Sequence, residues 1–141
     1  MPVSRALRRL LGIRELEEEQ CRAALESAVA ERARLQKALD MAFERARRGR
    51  ALITTSARSG ELSDRLAGLE EARSAPLLSD ILSDRIAASE LQVNERYQHY
   101  LSSRIRRRQV ETLNEDAEKK EVQLGARRSQ QEMDEWFRSR A

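Results

Sequence analysis

Apolar side chains recur every seven residues along the first third of the chain, in two parallel lanes. One lane holds Leu11, Leu25, Leu39, Ala46 and Ile53, and the other Leu7, Cys21, Ala28, Leu35 and Ala42. Ten of fourteen lane positions are apolar, with Arg14, Glu18, Arg32 and Gly49 as the exceptions. A two-lane, period-seven pattern is the signature of a long helix that packs against another helix along one narrow seam. A second set of lanes runs through Leu82, Ile86, Val93, Tyr100, Val110, Ala117 and Leu124, interrupted by Arg96, Ser103, Arg107, Asn114 and Glu121. It is the more polar of the two.

Thr54, Thr55, Ser56, Ser59 and Gly60 gather β-branched, hydroxylated and flexible residues, a combination that ends helices. Ser74, Ala75 and Pro76 form a second such point. These signals predict an all-α fold, a long antiparallel two-helix coiled-coil hairpin making one domain over 1–141. Helix 1 is expected over about 4–56, beginning near the capping residue Ser4, a partly helical connector over about 57–78, and helix 2 over about 79–139. Folding about that connector places Leu11 near Leu124, Leu25 near Val110 and Ile53 near Leu82, with both termini at one tip. The seam residues are then Leu11, Leu25, Leu35, Leu39, Ile53, Val93, Val110 and Leu124. Pairing of the same lanes between two chains, as in a dimeric scaffold, remains open.

Composition narrows the function. The 141 residues are 36% charged and only 4% aromatic, and all but three of the 27 basic residues are Arg, interleaved with 24 acids to a net charge of +3. Interleaving of this kind marks a solvated helix surface. A two-helix fold offers no enclosed pocket, the lone His99 and lone Cys21 have no metal-ligand spacing, and the five glycines are isolated. The expectation is a protein that is not an enzyme and has no catalytic, cofactor or metal site. Neither a signal peptide nor a membrane span is expected, and a single seam cysteine fits a reducing compartment.

Three features exceed a plain coiled coil. Arg104, Arg106, Arg107 and Arg108 form a basic cluster suited to phosphates, although acids follow it and no aromatic platform accompanies it. Leu7, Leu10, Leu11, Trp136 and Phe137 would share the tip, where large side chains without a core act as anchors. Leu77, Leu78, Ile81 and Leu82 make an apolar knot at the turn, while Leu91, Leu101 and Ile105 lie off the seam and imply a binding or self-association face.

The segment from Arg106 to Trp136 resembles the C-terminal helix of the FliJ/YscO family of flagellar and type III secretion export proteins. The resemblance rests on Gln109 to Leu113, the charged run Glu115 to Glu121, and Gln130 to Glu135, together with the opening Leu7, Leu10, Leu11, Ile13, Arg14, Glu15 and Glu18. It implies a stalk for the export ATPase hexamer, whose ring would take the tip residues Leu7, Leu10, Leu11, Trp136 and Phe137. It further implies a contact of the hairpin with the cytoplasmic domain of the export gate, here assigned to Leu77, Leu78, Ile81, Leu82 and Ile86, and a role with export chaperones. The implied place is cytoplasmic, peripheral at the inner face of the cell membrane, without membrane insertion or nucleic acid. The alternatives are a basic helical nucleic-acid-binding protein and a dimeric coiled-coil scaffold.

Overall fold

The computed structural model describes residues 2–140, with side chains described from Arg5 onward. Two helices account for nearly all of it: α1, Pro2–Ser59, and α2, Leu62–Arg140. They pack together as a helical hairpin. The whole link between them is Gly60 and Glu61. Gly60 has a φ of 73°, a left-handed conformation that a side chain would strain, and its N–H closes the last turn of α1 onto the Ser56 carbonyl at 2.7 Å.

The expected connector over 57–78 is therefore replaced by a two-residue turn, and helix 2 begins at Leu62. The hydroxyls that argued for a break at the end of α1 instead turn back onto their own helix: Thr54 donates to the Arg50 carbonyl, Thr55 to Ala51 and Ser56 to Ile53. Ser74 does the same onto Glu70. Pro76 lies inside α2 with its ring exposed. Its missing N–H frees the Ala72 carbonyl, but neighbouring Ala75 is 4% exposed and held in the seam, so packing carries the helix through a position that local preference would break. Helix 1 is helical already before Ser4, whose side chain lies outside the described residues.

Moving the turn from the middle of the expected connector to Gly60 changes the register. Glu18 faces Arg107, Ala24 faces Arg96, and Ile53 packs against Gly68, not Leu82. Leu11, Leu25, Leu39 and Val93 are half-buried, as is Ile53, while Leu35 and Val110 are buried. Leu124 is the correction: it continues the lane but is 52% exposed.

The chain divides into two compact units. A turn-side unit spans residues 23–98, and a terminal unit combines residues up to Arg22 with those from His99 on. In the turn-side unit, Leu35, Ala42, Leu82 and Ile86 form a small core, with Ala38 and Leu39 against it. Closer to the turn, the backbones nearly touch at Gly49 and Gly68: a Cβ on Gly68 would lie 2.6 Å from the Gly49 carbonyl oxygen, and one on Gly49 would lie 2.8 Å from the Glu71 Cβ.

Candidate functional site

The surface that distinguishes this chain begins where the seam ends. Arg8 pairs with Glu118 at 3.6 Å, and Glu121 is the last half-buried residue of α2. From Val122 to Arg140 every residue is exposed. This stretch is helical, and its far end extends past Pro2, where the described part of α1 begins, as an overhang.

Its outer end carries an aromatic knob. Trp136 and Phe137 meet edge to face with centroids 5.1 Å apart, and the Arg140 guanidinium stacks 4.2 Å over the indole. Both rings remain largely open, at 50% and 61% exposure. With Ser129, Glu132 and Met133 they line a shallow groove. Leu7, Leu10 and Leu11, by contrast, are half-buried on α1. The expected joint tip does not form, since Trp136 stands roughly 27 Å further along α2 than Glu118 at 1.5 Å per residue. The knob stands alone.

Behind the overhang, the terminal seam is polar. Arg107 sits between two carboxylates, donating from Nε to Glu18 at 2.6 Å across the seam and from Nη1 to Glu111 at 2.5 Å along its own helix. That hydrogen bond, assisted by the positive charges of Arg107, Arg104 and Arg108, holds the Glu18 carboxyl below its ordinary pKa against the opposing effect of burial. The Arg107 guanidinium is raised in turn, by its bonds to Glu18 and Glu111. Arg14 Nε and Asn114 Oδ1 are buried beside this layer without a protein hydrogen-bond partner. The basic cluster is thus divided: Arg107 is committed to the seam and Arg104 is half-buried, leaving Arg106 and Arg108 exposed.

The expected turn-side contact set also divides. Leu82 and Ile86, at 7% and 8% exposure, belong to the core and offer nothing to a partner. Leu77, Leu78 and Ile81 are exposed, and Leu62, Leu66 and Leu69 join them as exposed leucines near the same turn. Those three escaped the sequence reading because the segment was treated as a connector; their spacing of four and three residues is the helical signal that would have found them. Leu91 and Ile105 are exposed as well, whereas Leu101 is half-buried.

Among the described residues there is no group of His, Cys, Asp and Glu placed to hold a metal, and no helix is long and apolar enough to cross a membrane. In a comparison with protein families, the family described as flagellar FliJ protein matches residues 4–141. The chain belongs to the FliJ family. No individual curated protein and no solved structure matches it. As a member of the FliJ family, the chain is a component of the flagellar export apparatus, and the match covers both helices.

Proposed function

We propose that this FliJ-family chain serves as the central stalk of the export ATPase, with its terminal unit entering the hexameric ring and the overhang of α2 leading. The observation that supports the reading is the exposed Trp136 and Phe137 knob on a helix that has outrun its partner. A narrow helix bearing a rigid aromatic end suits a ring lumen, where buried aromatics dominate affinity. Leu7, Leu10 and Leu11 act behind it by fixing α1 to α2 at the ring mouth. The turn-side leucines Leu77, Leu78 and Ile81, extended by Leu62, Leu66 and Leu69, form the contact with the cytoplasmic domain of the export gate. Export chaperones are further partners, and the protein works at the inner face of the cell membrane without a catalytic role. Nucleic-acid binding is the weaker reading, because the Glu18 pairing removes Arg107 from the surface cluster.

Co-sedimentation with the purified export ATPase hexamer tests the first contact. Trp136→Ala with Phe137→Ala is expected to weaken ring binding at least about tenfold, which corresponds to about 1.4 kcal/mol. Unchanged binding would remove the assignment. Leu77→Ser with Ile81→Ser is expected to abolish capture by the gate's cytoplasmic domain while ring binding persists.

A further inference from the structure

The turn-side half of α2 carries a second lane on the face opposite its seam. Leu62, Leu66, Leu69, Leu77 and Leu91 are exposed, and Arg73, Asp80, Asp84 and Ala87 fill the places between them at steps of three and four residues, the spacing of a coiled-coil face. Each of these residues is exposed and lies two residues before a buried or half-buried one, as Leu66 does before Gly68, Arg73 before Ala75, Asp80 before Leu82 and Asp84 before Ile86. Two residues turn the helix by about 200°. The lane therefore looks away from α1, and it lies wholly within the turn-side unit. Its charges are unmatched: Arg73, Asp80 and Asp84 make no ion pair among the described residues, and the two aspartates, four residues apart on one face, repel each other. The corresponding outward lane of α1, through Ala33, Lys37, Asp40, Glu44, Arg47 and Ala51, has no large apolar residue.

We infer that this lane pairs with the same lane of a second copy of the chain, antiparallel, about a two-fold axis between Pro76 and Leu77. The lane is complementary to its own reverse. Reversing one copy brings Leu62 level with Leu91, Leu66 with the small Ala87, and Arg73 with Asp80, each twice by symmetry, while Leu77 meets its own mate near the axis. Leu69 comes level with Asp84, whose carboxylate then lies one turn from Arg73 of the other copy. The one cation of each lane thus stands beside the two carboxylates that repel each other in the isolated hairpin. These charges lie on the lane itself, between its leucines, so the pairing that buries the leucines is the one that matches the charges. A parallel pair would set Arg73 against Arg73 and each aspartate against its own copy. The antiparallel interface is isologous and closes at two chains. It covers Leu62, Leu66, Leu69 and Leu77, so a paired chain is withheld from the gate contact proposed above, but the pairing does not depend on that contact.

Sedimentation equilibrium of the full chain tests it. The mass should rise from 16.2 kDa toward twice that value, with a Kd on the order of 10–100 µM. Arg73→Glu should return the chain to a monomer, and so should Asp80→Arg, since each sets like charges level with one another at exposed positions that the hairpin does not use. Mixed in equal amounts, these two variants should form the heterodimer, in which both levels again carry opposite charges. In a Cys21→Ala background, Leu62→Cys and Leu91→Cys chains mixed together should form the hetero-disulfide in preference to either homodimer. A chain that stays at monomer mass to about 500 µM, a dimer unaffected by Arg73→Glu, a mixture of the two charge variants that stays monomeric, or crosslinking of 62 to 62 as strong as 62 to 91 would each overturn the proposal. Loss of gate capture by Leu77→Ser with Ile81→Ser, without any dimer in the parent, would leave the gate contact standing and the pairing refuted. A dimer that obeys the charge exchange in a chain that never captures the gate domain would support the pairing and remove the gate contact alone.

Discussion

The turn-side and terminal units use the same heptad spacing and solve the packing problem in opposite ways. Around Gly49 and Gly68 the seam is made of residues too small to hold the helices apart, and backbone approaches backbone. Around Glu18 and Arg107 it is made of long charged side chains that reach across and bind each other. Close packing of small residues gains dispersion and excludes water, but tolerates no added volume. A half-buried ion pair tolerates change in volume yet fixes register, since each charge must find its one partner. The first arrangement is sensitive to size and the second to charge.

The largest effect is expected from size. Gly68→Ala places a methyl 2.6 Å from a backbone oxygen that cannot move aside, and 2.9 Å from the Ile53 Cγ1. A loss of about 2–3 kcal/mol is expected by chemical denaturation, with Gly49→Ala close behind. Equal stability of Gly68→Ala and the parent would mean that the helices are not in contact there.

Charge in the terminal unit comes next. Arg107→Ala strands Glu18 and Glu111 together and should cost about 2 kcal/mol, whereas Glu18→Leu with Arg107→Leu should be neutral or stabilising, because an apolar layer avoids the desolvation of two ions. A double variant as unstable as the single one would contradict this account of the seam. The same layer gives an acid response. Glu18 has its carboxyl pKa lowered in the folded state, so its contribution is complete above the ordinary carboxylate range and is lost as pH falls through the lowered value. Hydrogen exchange should show amides near Glu18 and Arg107 losing protection at low pH, and the shift should vanish in the Leu double variant.

The smallest effect has the opposite sign. A Cβ on Gly12 would meet nothing within 4 Å. Gly12→Ala should therefore stabilise the helix by about 0.5–1 kcal/mol, in contrast to the same substitution at Gly68. Thermal melts of the two variants side by side put the comparison on one scale.

Much of the fold was legible because a seven-residue period needs only the order of side chains to be seen. Polar breaks in the lanes were legible too: Arg14, Glu18 and Arg107 were noted as exceptions and all three lie in the seam. The candidate site was less so. Leu82 and Ile86 look like exposed knot residues when the turn is placed after them, and become core residues once α2 starts at Leu62. Trp136 and Phe137 look like one tip with Leu10 and Leu11 until the shifted register separates them.

The amino-acid sequence by itself determined that two amphipathic helices exist, which faces they bury and how charged the remainder is, since each follows from local order and spacing. Where the chain turns, and hence which residues face one another, was decided by tertiary packing. Helix-breaking tendencies at Thr54, Thr55 and Pro76 amount to at most a few kcal/mol in total. Close contact along Ala42, Gly49, Gly68 and Ala75 outweighs them, leaving Gly60, the single residue with a left-handed backbone among the described residues, to reverse the chain.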